Sequence, residues 1–509
     1  MNVLLLNLNH WGRSFTPIGL AMVSSVLKER GHSTRLFDTT FYDFNTINEQ
    51  KEGEKYLSYK QTDLSNYSVK FDKTDEVADF KQILSDYKPD LIIFSVFSSH
   101  LNSEGEYNMY YYGRELIKKS GKNIPVLVGG IIPTSIPEKV IHDGVTDIIC
   151  LGECEEAIGE LADKMEMDGD ITNIKNIWVK KGDKVYKNGV RPLINDLDKL
   201  PYMDLSIFDD KSFYRPFKGR VYRAIDTEIS RGCIYCCDYC VESIMQKLYG
   251  YKRSQNGGVI KGKGYHREKS VNRIIQEYIF LRDSFNIEFL RFQDTNFLSI
   301  SEKKLIELSE RFSGQVGLPF YIETRPEGIT KKRASLLKKM GCVGAGMGLE
   351  VGNYSYRKGT LNRNCNNQAI IRACNNLREL GMRATTYNII GFPGETREDI
   401  MKTIELNRMA KPESMTIAFY SPYIGTPMYG TSIKKGVIPD KIICLDQKLY
   451  TQVRQSQDSL SPRELLSLRN TFIMYVLSSK ILWPLVRLAE RDNLVGRAIY
   501  RMFQIFLKR

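Results

Sequence analysis

At 509 residues the chain is too long for one ordinary domain, and its apolar share of 42% supplies buried cores and excludes a disordered chain. The net charge of +13 is carried in patches: seven Lys/Arg against Glu268 alone between Ser243 and Ser270, and seven against Glu490 and Asp492 between Lys480 and Arg509. Ten cysteines without a paired framework, no signal peptide and no apolar run of ~18 residues point to a reducing, cytoplasmic setting and away from a membrane-spanning chain. The basic patches attract phosphates, carboxylates or anionic lipid, or else are solvated faces.

Residues 1–170 read as one α/β unit. Val3–Leu8 is a strand, and Pro17–Arg30 a helix closed by Gly31. Thr34–Phe37, Leu91–Val96, Val126–Val128 and Asp147–Cys150 are further strands, with a helix over Glu155–Met165. Such alternation predicts a doubly wound, flavodoxin- or Rossmann-like parallel sheet with its ligand at the carboxyl ends of the strands. The candidate loops are Asn9–Phe15, Ser95–His100, Gly129–Thr134 and Gly152–Glu153. Phe41–Thr74 is an insertion rich in Tyr, Asp, Asn and Lys. Residues 171–222 hold a hairpin, Ile177–Val179 and Lys184–Tyr186 about Lys181-Gly182-Asp183, then a linker punctuated by Pro192, Pro201 and Pro216.

From 223 to 435 the alternation resumes, with strands at Ile225–Ile229, Phe289–Phe292, Phe320–Glu323, Val343–Leu349, Ala384–Ile390 and Met415–Phe419. Polar residues and glycines gather at the strand ends, which suits a partial TIM-like (β/α)6 barrel working at its carboxyl-end mouth. Residues 436–509 are a C-terminal helical region, in which Leu465, Leu468 and Phe472, and later Val495, Ile499, Met502 and Phe506, recur at helical spacing. These helices cap the barrel, or lie on anionic lipid as basic amphipathic helices.

The chemistry concentrates in Arg231–Cys240, where Cys233, Cys237 and Cys240 form a C-x3-C-x2-C spacing with Cys236 inside it. Thiolates select zinc, cuprous copper or iron–sulfur, and structural zinc would need a fourth Cys or His nearby. Cys236 is poorly placed to complete a tetrahedron beside Cys237, and the nearest histidine is His266. The loop resembles that of the radical S-adenosylmethionine (SAM) superfamily. That resemblance implies a 4Fe–4S cluster on the three thiolates, whose open iron chelates SAM, with Tyr239 beside the adenine. It also implies SAM contacts from Asp294 and Asn296 in Gln293-Asp294-Thr295-Asn296, from Glu350 in Gly348–Gly352, and from Gly391 and Glu395 in Asn388–Glu395. Arg325 and Tyr423 are candidates to face substrate, or else structural.

The amino-terminal loops resemble the cobalamin-binding domain fused to many radical SAM enzymes. Ser95 lies where that fold contacts the nucleotide tail, and Gly129-Gly130 matches a glycine pair that lets the tail approach the backbone. Gly152 and Glu153 complete the candidate set. There is no D-x-H-x-x-G stretch, so the resemblance implies cobalamin without a histidine lower ligand; a flavodoxin-like domain holding nothing or another nucleotide is the plainer reading.

Taken together, the resemblance is to class B radical SAM methyltransferases. It implies methyl transfer to an unactivated carbon by a 5'-deoxyadenosyl radical and methylcobalamin, with radical cyclisation or rearrangement as the alternative. An RNA methylthiotransferase is disfavoured, because residues 1–222 hold only Cys150 and Cys154, and a bare cobalamin carrier leaves the cysteine triad unexplained. Expected partners are a small-molecule or lipid-like substrate and an external flavodoxin- or ferredoxin-type electron donor, not nucleic acid. Contact with the inner membrane face would run through the C-terminal helices.

Overall fold

The computed structural model describes residues 1–9, 14–42, 62–67, 69–96, 104–121, 123–438 and 460–507, without the side chains of 95–96 and 104–108. His10, the loop 97–100 and most of the 41–74 insertion lie outside the described residues.

Seven strands among them form the first sheet, in the order β2-β1-β3-β4-β5-β6-β7. They are β1 (Asn2–Asn7), β2 (Ser33–Asp38), β3 (Leu91–Val96), β4 (Val126–Gly130), β5 (Ile148–Cys150), β6 (Ile177–Lys181) and β7 (Lys184–Lys187). The first five in chain order are parallel. Val3 to Leu6 are wholly buried, alternating between two separate cores, as a central strand covered on both faces requires. The hairpin β6–β7 pairs antiparallel with β5. Ile177 and Val179 enter one of those cores and Trp178 the other, so the hairpin is the edge of this sheet.

The second sheet has the order β16-β15-β14-β13-β12-β9-β8. Its strands are β8 (Tyr214–Phe217), β9 (Arg220–Thr227), β12 (Phe289–Phe292), β13 (Phe320–Thr324), β14 (Cys342–Glu350), β15 (Arg383–Ile390) and β16 (Ser414–Phe419). Strands β9 and β12 to β16 are parallel and curl into a partial barrel, with helices Val271–Phe285, Glu302–Gln315, Lys331–Met340, Asn367–Glu379 and Arg397–Ala410 outside. The end of the expected linker turns into β8, which pairs antiparallel with β9. Pro216 is tolerated there because β8 is an edge strand. A short ribbon, β10 (Ser230–Arg231) with β11 (Arg267–Glu268), brackets the cysteine loop.

Helices Pro462–Leu477, Trp483–Ala489 and Leu494–Leu507 pack through Leu468, Phe472, Val486 and Phe503 onto Ile400, Ile404, Met415 and Ile417 of the barrel. The two sheets are tied at their carboxyl ends. Thr16 and Asp226 exchange hydrogen bonds at 3.2 and 2.9 Å, and Arg231 and Arg267 reach across to Glu155 and Glu153 at 2.6 and 2.8 Å.

Candidate active site

The cysteine loop leaves β10 at Gly232, whose φ is +84° and where a Cβ would fall 2.2 Å from the carbonyl oxygen of Tyr265. Only glycine allows that turn. Beyond it the loop is pinned by side chains. Gln246 donates to the carbonyls of Cys233 and Tyr235 at 2.9 Å, Asn362 to that of Cys236 at 2.7 Å, and Arg253 to that of Cys237 at 3.0 Å. Glu242 accepts the Cys233 N–H at 3.2 Å and the Tyr265 hydroxyl at 2.8 Å.

Cys233 and Cys237 are buried and Cys240 is half-buried. Burial, then the charges of Glu242 and Cys237, pushes the Cys233 thiol up to about 12, and Cys240 is raised by burial, Glu242, Cys237 and Cys233. Each thiol therefore sits within electrostatic reach of the others. Cys236 packs in a small apolar core with Leu193, Ile260 and Tyr265 and accepts the Ser254 N–H at 3.4 Å. No three His, Cys, Asp or Glu side chains among the described residues converge on one metal ion. Three ligands of an iron–sulfur cube bind three different irons, so they need not converge on a point. The donor set fits such a cluster, and two buried guanidiniums face it. Arg325 Nη1 lies 3.4 Å and Arg363 Nη1 4.0 Å from Cys237 Sγ. Arg325 also stacks on Tyr235, 3.8 Å from the ring centroid, and pairs with Glu327.

A second chain of contacts runs from the loop to the end of β14. The Tyr239 hydroxyl donates to Glu350 Oε1 at 2.9 Å, and Arg363 donates to the Gly348 carbonyl at 2.6 Å and stands 4.0 Å from Glu350. Glu350 has φ +61°, an uncommon conformation for a residue with a Cβ, at a register shift between β14 and β15. The Tyr239 ring meets Phe392 edge-on at 5.8 Å, beside Val351, Tyr420 and Met428. Cys237, Tyr239, Glu350 and Arg325 are thus brought together, with Arg363 between them. Sequence reading missed Arg363, because it lies in a turn after Leu361 that carries no motif.

The other expected SAM residues turn inward. Asp294 is buried and accepts the N–H groups of Ile229 and Ser230 at 3.2 and 2.7 Å, and burial pushes its carboxyl up to about 7. Asn296 accepts the Thr324 hydroxyl and the Arg325 N–H at 2.8 and 3.0 Å. Glu395 accepts the N–H groups of Gly391 and Phe392 at 2.6 and 3.2 Å, and burial pushes it up to about 8. Asp294 and Asn296 thus brace the ends of the neighbouring strands β9 and β13, and Glu395 its own loop. Around Asp294 and Asn296 it is the alternate residues, Gln293 and Thr295, that line the cavity at the mouth. The Tyr423 carbonyl accepts the N–H and hydroxyl of Thr426, the N-cap of helix Pro427–Lys434, at 3.1 and 2.6 Å.

That cavity, of about 300 Å³, has room for a nucleotide-sized tail. Gly129, Gly130 and Gly152 line it from the first sheet, Gln293 and Thr295 from the end of β12, and Ser230 and Gly232 from the β10 ribbon and the cysteine loop. Ser95 and Gly129 are neighbours in the β3–β4 register, as are Val96 and Gly130; the Ser95 side chain lies outside the described residues. A Cβ on Gly129 would make ordinary contacts with Cys154 Sγ at 3.7 Å and Leu127 Cδ2 at 3.9 Å, so the protein's own packing does not demand a glycine there. Gly152 and Glu153 have protein partners. Tyr249 of the barrel fills the space beside Gly152, and Glu153 pairs with Arg267 at 2.8 Å and accepts the Ile194 N–H at 3.0 Å.

Residues 227–406 match the model of the radical SAM superfamily, and residues 6–162 that of the B12 binding domain. An uncharacterised methyltransferase of Pyrococcus horikoshii is 22% identical over 500 residues, covering 97% of this chain and 95% of its own. An anaerobic magnesium-protoporphyrin IX monomethyl ester cyclase of Rubrivivax gelatinosus is 24% identical, over 69% of this chain and 60% of its own. Among solved structures, the radical SAM methyltransferase TsrM from Kitasatospora setae, with cobalamin and a [4Fe-4S] cluster bound, aligns over 99% of both chains with a TM-score of 0.64. Its 15% identity makes that a likeness of fold.

Proposed function

We propose, for a chain that joins a B12 binding domain to a radical SAM domain, that it is a cobalamin-dependent radical SAM methyltransferase acting on an unactivated carbon. The observation that carries this is a cavity lined from both sheets and by Ser230, Arg231 and Gly232 at the start of the cysteine loop, which would put the two cofactors within reach of one substrate. Cys233, Cys237 and Cys240 would hold the 4Fe–4S cluster. Tyr239, Glu350 and the cavity-facing Gln293 and Thr295 would receive SAM, and Gly129-Gly130 the tail of a cobalamin without a histidine ligand. When bound, these groups supply a one-electron reductant for a sulfonium and a cobalt-borne methyl group.

The chain's own residues position and insulate. Arg325 and Arg363 offset the negative charge of the thiolates in a buried setting, where an unpaired charge is costly. Phe392, Tyr420 and Met428 wall the Tyr239 side of the mouth and exclude water there. Asp294, Asn296 and Glu395 hold the backbone of the surrounding loops in place. An external flavodoxin- or ferredoxin-type protein in the cytoplasm would deliver the electron.

The test is anaerobic purification with cobalamin supplied, followed by iron, sulfide and corrinoid analysis and an assay for SAM cleavage. About one cluster and one corrinoid per chain are expected, and a cluster without corrinoid would refute the methyltransferase reading. Cyclisation is the second reading, supported by the cyclase relative. A product that acquires no label from methyl-labelled SAM would favour it.

A further inference from the structure

The C-terminal helices carry apolar surface that the fold does not use. In helix Leu494–Leu507, Gly496 and Phe503 are buried against the preceding helices. At 100° per residue, Leu494, Ala498, Met502 and Ile505 form a different stripe, with Val495 and Phe506 beside it. Leu494 is 86% exposed, Val495 62%, and Ile505 and Phe506 69% each. Ile481, at the turn before the neighbouring helix, is 87% exposed. Single exposed apolar residues are ordinary, but a whole stripe of them marks a surface that an apolar phase covers.

The charges around the stripe say which phase. Lys480, Arg487, Arg491, Arg497 and Arg501 stand on these segments. Of the two acidic residues among them, Glu490 is turned inward onto Arg397 and only Asp492 is exposed, paired with Arg497 and Arg463. A second copy of the chain docked stripe to stripe would set these cations against their own kind. No helix among the described residues is long and apolar enough to cross a membrane. At about 1.5 Å per residue the last helix is a short rod suited to lying in the plane of an interface.

We propose that this face docks the enzyme onto an anionic lipid bilayer, with the stripe of Leu494, Ile505 and Phe506 in the acyl boundary and the arginines at the headgroups. The inference stands on surface residues alone and does not depend on the methyl-transfer reading.

The full chain is mixed with vesicles of phosphatidylglycerol and phosphatidylcholine in equal parts, or of phosphatidylcholine alone, and floated on a density gradient. It should float with the anionic vesicles, far less with the neutral ones, and detach in high salt. Ile505→Glu/Phe506→Glu should lower partitioning by roughly tenfold or more, since two large apolar side chains leave the lipid. The melting temperature should stay unchanged, because both positions are solvent-facing. Arg487→Gln/Arg501→Gln should weaken the anionic preference and leave the residual neutral binding as it was. Failure to float, or equal flotation of wild type and the double glutamate variant, would overturn the proposal. So would a concentration-dependent dimer that the double glutamate variant abolishes, since the stripe would then belong to a second copy.

Discussion

Gly152 offers the sharpest separation between two reasons for a glycine at a domain boundary. The resemblance of its loop to cobalamin-binding domains makes it a candidate contact of the cofactor. In the structure, a Cβ there would fall 2.3 Å from Tyr249 Oη and 3.0 Å from Leu248 Cδ2, at φ +70°. The Tyr249 hydroxyl in turn accepts the Glu153 N–H at 2.9 Å. Gly152→Ala must adopt a left-handed backbone, at about 1–2 kcal/mol. It must also displace the tyrosine, losing a hydrogen bond worth about 1 kcal/mol and some ring burial. The sum is roughly 2–4 kcal/mol, or a fall of about 5–15 °C in melting temperature for a unit of this size. Tyr249→Ala removes the overlap in advance, so in that background the glycine substitution should cost only the backbone part. The two changes should be less than additive by about 1–2 kcal/mol. Thermal melts of the four proteins, without and with cobalamin, measure this directly. Additive costs without cobalamin would refute the packing account. A penalty that emerges only with the corrinoid bound would return the glycine to the cofactor.

Three further outcomes follow from the cysteine loop and its surroundings. Arg325→Gln and Arg363→Gln each remove a positive donor from beside Cys237, so the midpoint potential of a reconstituted cluster, read by EPR-monitored redox titration, should move to more negative values. An unchanged potential would leave both arginines a purely structural role. Cys236→Ala should keep the full iron content, since that thiol packs in a small apolar core and accepts the Ser254 N–H, whereas Cys237→Ala should lose it. Glu395, raised by burial from 4.5 to about 8, makes stability depend on pH in a stated direction. The folded chain keeps a proton that the unfolded chain has released, so this contribution is whole below about pH 4.5 and is lost as the pH climbs to about 8. Urea midpoints at about pH 5 and about pH 8.5 should differ less in Glu395→Gln than in wild type, because the carboxamide carries no titrating proton.

What was legible in the sequence and what was not divide along physical lines. Strands such as Asn2–Asn7 and Leu91–Val96 are carried by apolar runs whose burial follows from composition, and their positions could be read directly. The cysteine spacing was legible because three thiols in eight residues have few other uses. The edges of the sheets were harder to read. The 177–187 hairpin is legible as a hairpin but not as the edge of a sheet, and the strand at 214–217 looks like linker; only the pairing with β5 and β9 gives them a place. Side-chain direction past a strand end was least legible, and it matters most for the site. In Gln293-Asp294-Thr295-Asn296 the charged and amide pair 294/296 looks functional by residue type. The two-residue alternation carried on from β12 turns that pair into the fold and leaves 293/295 at the cavity. A motif thus marks the loop where chemistry happens, while the pleat of the strand feeding it decides which members touch the ligand. The same holds at β14, where the register shift after Gly348 sends Glu350 to the hydroxyl of Tyr239 and makes room for Arg363. That arginine comes from a turn that no spacing rule would single out, and a partner of this kind becomes visible only once two distant loops are placed side by side.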